Sequence, residues 1–178
     1  MFAARVDTNN IARLADNFKS DKKVLYIGIL ENKKYPDEGL EVEETITLNG
    51  KKRATPGLKS LGKGGKQTTA QVAFWNEYGT VNMPARPFMR NTVRAHAKEW
   101  GRILQGALQK GYTVEKALNF LGEFAYKDMV QTIEDGVPPA NAPSTVAIKQ
   151  AKGRADPTHT LVDSAYMQES IFYEVRGE

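Results

Sequence analysis

The chain has no cysteine and only two histidines, His96 and His159. The first absence excludes disulfide staples, thiolate metal sites and cysteine nucleophiles, and it suits assembly in a reducing cytoplasm. With so few imidazoles, a metal site would have to be built from carboxylates, and the acids show no ligand spacing. No apolar run approaches the roughly 20 residues needed to span a bilayer, and Met1 to Asn10 lacks the apolar centre of a signal peptide. Net charge is only +4, too little to argue nucleic-acid binding by itself. Gly62 to Gly65 is not followed by the Gly-Lys-Ser or Gly-Lys-Thr of a phosphate-binding loop. His159 lies close in sequence to Asp163 and Ser164, but no nucleophile elbow accompanies them. These absences lead us to expect no catalytic residue, no metal and no cofactor.

What is present fits one domain over residues 1–178, with 40% apolar and 26% charged residues. Ile11, Leu14 and Phe18 suggest a short N-terminal helix, and Val24 to Leu30 reads as a buried strand. Residues 31–69 form a glycine-rich charged stretch in which Asn49-Gly50 is a two-residue hairpin turn, predicting a projecting β-hairpin arm. Its first half is acidic (Asp37, Glu38, Glu41, Glu43, Glu44) and its second half basic (Lys51, Lys52, Arg53, Lys59, Lys63, Lys66). Such a split suits pairing with a neighbouring copy.

Gln71 to Tyr78 can form a helix stopped by Gly79. Val93, Ala97, Trp100, Leu104 and Leu108 share one face of a long helix ending near Gly111. Thr113 is a suitable cap for a second long helix, whose buried face carries Leu118, Leu121, Ala125, Met129 and Ile133. Ser144 is a candidate cap for a short helix to Gln150, and Ile171 to Val175 reads as a closing strand. The expected fold class is α+β, a small, mainly antiparallel sheet against two long helices, with the arm projecting.

Two segments say more than periodicity does. One is Glu77-Tyr78-Gly79-Thr80 followed by Pro84-Ala85-Arg86-Pro87-Phe88-Met89-Arg90; the other is Pro138-Pro139, Ala142-Pro143-Ser144-Thr145 and Lys149, then Leu161-Val162-Asp163-Ser164 and Ser170-Ile171. In that order they resemble the neck or tail-completion proteins of long-tailed bacteriophages, also known as virion morphogenesis proteins. The resemblance runs from Val24 to Val175 and skips the arm, which is longer than the family needs. It departs at Ala165, where such proteins commonly carry glycine. It implies a non-enzymatic homo-oligomeric ring in the virion neck, six copies favoured and twelve as the alternative, assembled in the host cytoplasm. The implied partners are a head-closure or adaptor protein and a tail terminator, tube or sheath protein, with double-stranded DNA passing non-specifically and no membrane.

Glu77, Arg86, Phe88 and Arg90 are the candidate interface residues, because prolines fix their backbone while Phe88 offers apolar area and the arginines offer forked donors. Against this stands a simpler reading in which Pro87 starts a helix, Phe88 fills the core and Arg86 serves the fold. The basic residues Lys51 to Lys66 have three readings: solvated loop, contact with an acidic neighbour, or lining of a DNA channel. A tail terminator capping the tube is the alternative function. A small hydrolase or nucleic-acid enzyme is the remaining class, and it lacks a catalytic constellation.

Overall fold

A computed structural model describes residues 23–29 and 67–177. The N-terminal helix, the hairpin arm and the basic residues Lys51, Lys52, Arg53, Lys59, Lys63 and Lys66 lie outside the described residues. The architecture is α+β, with a two-stranded antiparallel sheet and four helices among those residues. In chain order they are β1 (Lys23–Ile29), α1 (Thr69–Tyr78), α2 (Phe88–Gln109), α3 (Val114–Asp135), α4 (Pro143–Ala151) and β2 (Ile171–Gly177). They fall into two compact units, one holding β1 to Gly28, Met89–Thr132 and β2, the other holding Ile29–Phe88 and Ile133–Ser170.

In the first unit, α2 and α3 run antiparallel and are registered by polar contacts. Thr92 donates to the Thr132 hydroxyl (2.7 Å), and Trp100 Nε1 donates to the Asp128 carboxylate (2.7 Å). At the other end Ala107, Leu108, Val114 and Ala117 close an apolar cluster around the connection, with Leu104, Tyr112 and Leu118 packed on it. Gly111, at φ 82, makes the turn between the helices, and Thr113 caps α3 by accepting from the Lys116 amide (3.3 Å).

The buried face of α2 is not the full predicted stripe. Val93 is 45% exposed and Ala97 is also exposed, whereas Thr92 is fully buried. The reason is that Thr92 and Trp100 have hydrogen-bond partners on α3, which turns the N-terminal half of α2 toward a polar seam that apolar periodicity does not register. On α3, Leu121, Ala125, Met129 and Ile133 are buried and Leu118 half-buried, along one face.

The sheet meets α3 through a glycine. A Cβ on Gly122 would lie inside contact distance of the Tyr173 ring of β2, including its Cγ, which cannot swing aside like a chain end. In the second unit, a capping box starts α1: Thr68 Oγ1 accepts from the Gln71 amide (3.2 Å) and the Gln71 side chain accepts from the Thr68 amide (3.1 Å). The helix therefore opens at Thr69, inside the span assigned to the arm. Helix α4 opens on Pro143 at its first turn with Ala142 at the cap, so Ser144 is already helical and does not cap it.

Gly122→Ala should destabilise the protein by ~1–3 kcal/mol in urea unfolding, because overpacking against Tyr173 outweighs the gain in helix propensity. A stability increase would show that the ring does not need the glycine.

Candidate functional site

The second unit brings together three stretches that are far apart in sequence: the turn from Gly79 to Arg86, the proline segment with α4, and the bend from Leu161 to Met167. The first is shaped by Gly79, whose φ of 78 and approach to Met83 and Ala85 leave no space for a side chain; a Cβ there would meet backbone atoms of both at 2.9 Å. The turn closes with a reciprocal pair between Thr80 and Met83 and passes back along α1, where the Arg86 amide donates to the Asn76 carbonyl (2.5 Å).

Arg86 then joins the first stretch to the second. Its Nε donates to the Pro139 carbonyl (2.8 Å) and its Nη2 to the Ala140 carbonyl (3.0 Å), with the residue only 5% exposed. Burial lowers its pKa from the ordinary arginine value, but a guanidinium stays charged. The forked head suits this task because two adjacent carbonyls need two donors held at fixed spacing.

Lys149 joins the second stretch to the third. It is 7% exposed, and its ammonium donates to the carbonyls of His159 (2.6 Å) and Val162 (2.5 Å). Burial pushes its pKa below the usual lysine range, with Asp163 and Asp156 opposing and Arg86 and Arg154 reinforcing. Asp163 is itself engaged: Arg154 Nε donates to it at 3.0 Å and the Lys152 ammonium lies 3.6 Å away.

The third stretch is bent by two residues in the left-handed region, Leu161 at φ 66 and Ala165 at φ 61. Neither is glycine, so the bend holds backbone strain of ~1–2 kcal/mol at each. Between them the Ser164 hydroxyl is buried with no hydrogen-bond partner. His159 braces the neighbouring turn, its Nε2 2.7 Å from the Glu134 carbonyl and its Nδ1 2.5 Å from the Thr160 carbonyl. Each ring nitrogen faces a backbone carbonyl, and the one that carries the proton donates to it.

These elements enclose a cavity of about 440 Å³. Its walls are apolar at Val72, Met83, Pro84, Leu161 and Met167, and cationic at Arg86, Lys149 and Lys152. That volume falls within the range of small-molecule and peptide pockets. No family model, curated protein or solved structure matches this chain.

Of the four candidate interface residues, Glu77 (3% exposed), Arg86 (5%) and Phe88 (0%) are buried within the subunit, while Arg90 on α2 is exposed. The interface assignment of the first three is corrected accordingly: Arg86 spends its donors on its own chain, and a fully buried ring offers no area to a neighbour. The motif segments that suggested those residues nevertheless do converge, since Pro84, Arg86, Pro139, Ala142, Thr145, Lys149 and Leu161 to Ser164 all line the cavity. Lys152, Val72 and Met83 were not singled out in the sequence. Thr145 and Lys149 carried a signal for the site in their spacing, one helical turn apart on the same face of α4. Among the described residues, no group of three His, Cys, Asp or Glu residues is placed to hold a metal, and no helix is long and apolar enough to cross a membrane.

Arg86→Lys should lower stability by ~2 kcal/mol in denaturant unfolding, since a single ammonium cannot satisfy both carbonyls in the same geometry. Ala165→Gly should raise stability by ~0.5–1 kcal/mol, the relieved left-handed strain exceeding the added chain entropy. A loss on Ala165→Gly in thermal unfolding would show that the methyl group packs usefully.

Proposed function

We propose that this chain is a structural, non-catalytic protein of the bacteriophage neck, acting as a homo-oligomeric ring between the head-closure layer and the tail. The observation that carries the reading is the convergence of three stretches from the two motif segments on one cavity, through Arg86 and Lys149. Segments about fifty residues apart gain a common reason to occur in this order. Ala165 adds support, because its φ of 61 is a glycine-type conformation at the position where the resembling proteins carry glycine.

Ring assembly needs exposed apolar anchors, and the second unit offers them. Phe74 and Tyr78 on α1 are each 59% exposed with their rings 4.8 Å apart, and Val81 in the following turn is fully exposed. A monomer gains nothing from placing two aromatic rings in water, whereas a ring contact buries them. Such contacts are heterologous, so this patch meets a different surface on the next copy. Arg90 and the basic residues Lys51, Lys52, Arg53, Lys59, Lys63 and Lys66 are the polar candidates for further contacts. Six copies match the symmetry of the tail to which the ring would dock, and twelve that of the portal.

Electron microscopy of virions and of the purified chain tests this reading. A ring between the head-closure layer and the tail tube is expected; density directly capping the last tube ring would make the protein a tail terminator, and absence from the virion would overturn both. Phe74→Ser combined with Val81→Ser should leave stability within ~0.5 kcal/mol and abolish rings in the purified chain. Persisting rings would move the contact elsewhere.

A further inference from the structure

The ring of His159 stands between two acceptors. Its Nε2 lies 2.7 Å from the Glu134 carbonyl and its Nδ1 2.5 Å from the Thr160 carbonyl. A carbonyl oxygen only accepts, so each contact needs a proton on the nitrogen; a neutral imidazole carries one such proton and the imidazolium two. In the neutral ring, one nitrogen lone pair therefore points at a carbonyl oxygen, and that contact is repulsive. The geometry with both hydrogen bonds made is that of the protonated ring.

Glu134 is the second-to-last residue of α3, and the closing carbonyls of a helix carry partial negative charge and take their donors from outside the helix. Charged groups approach the histidine from three elements. Asp156, on the same loop, accepts from the His159 amide (3.2 Å) and attracts the imidazolium charge. On α3, the Glu134 carboxylate accepts from the Gln168 side chain (2.8 Å), and Asp135 follows it. Lys149 on α4 opposes protonation, but its ammonium is directed at the His159 backbone carbonyl (2.6 Å). Gly136 lies against the ring, where an added Cβ would come 3.8 Å from its Cε1.

The backbone at this ring also joins the parts of the site. The His159 carbonyl accepts from Lys149 and from the Asn141 side chain (2.8 Å), and the Thr160 hydroxyl accepts from the Val137 amide (2.8 Å). Leu161 and Val162, next in the chain, line the cavity. We propose that His159 is a proton-controlled latch on the cavity wall: as imidazolium it ties the bend that starts at Leu161 to the end of α3 through two hydrogen bonds, and as imidazole it keeps only one. The latch lies within one subunit and does not depend on ring assembly. Its sign follows from the proton count. The folded chain holds the second proton more firmly than the unfolded chain, so the stability it adds is complete in acid and is lost as pH rises through the titration of the folded imidazole.

His96 and His159 are the only histidines, so the full chain carrying His96→Gln leaves one imidazole to follow. Long-range proton–nitrogen spectra of this variant should show both His159 ring nitrogens protonated at the acid end of about pH 5 to 8. One proton should then be lost at a higher pH than in the same chain unfolded in urea. Across that loss, hydrogen-exchange protection of the Val162 amide, which donates to the Thr160 carbonyl (2.8 Å), should fall at least roughly three-fold. In urea unfolding, the folding equilibrium constant should drop at least roughly five-fold over the same span, relative to a chain carrying both His96→Gln and His159→Gln. Proton loss at the same or a lower pH than in the unfolded chain would overturn the latch. So would Val162 protection that does not follow the titration, or the same pH dependence of stability with and without His159. The spectra and the exchange are read on a chain that keeps His159, so they decide the matter without the second variant.

Discussion

The second unit depends on a buried guanidinium. Arg86 leaves water to bond two consecutive carbonyls of the proline segment, about fifty residues ahead in the chain. Burying a charge costs several kcal/mol unless its donors are satisfied, so the site tolerates only a geometry in which Pro139 and Ala140 present their oxygens together. Prolines on both sides serve that end, because Pro84, Pro87, Pro138 and Pro139 limit the backbone freedom that would otherwise blur the fit. Lys149 repeats the arrangement with His159 and Val162. Two cations holding carbonyls thus join three stretches, and the space between them is the cavity.

The first unit is organised by a different balance. Its helices meet over an apolar cluster at one end and over a hydroxyl, indole and carboxylate seam at the other. The apolar end closes the connection between the helices, and the polar end sets register, since Trp100 and Asp128 or Thr92 and Thr132 satisfy one another in one alignment only. Gly122 shows the same economy at the sheet, where a missing side chain admits the Tyr173 ring.

Residues that looked suited to touching a neighbour, Glu77, Arg86 and Phe88, are consumed in building the subunit, while Phe74, Tyr78 and Val81 are exposed. The motif residues thus serve the fold of the subunit itself. The strain held at Leu161 and Ala165 belongs to the same construction, since both line the cavity whose wall they bend.

Sequence by itself determined the α+β class, the stretches that become β1, α1, α2, α3 and β2, and the buried face of α3, because hydrophobic period and capping residues are local properties. The stops at Gly79 and Gly111 were legible for the same reason. It also marked the segments that form the site, through the unusual order of prolines, arginine, threonine and lysine. Tertiary structure alone decided which of those residues face inward. Whether Arg86 reaches a neighbour or Pro139 depends on a contact across more than fifty positions, and whether Val93 or Thr92 is buried depends on a hydroxyl waiting on α3. Such choices are made by partners distant in the chain, and no local pattern contains them.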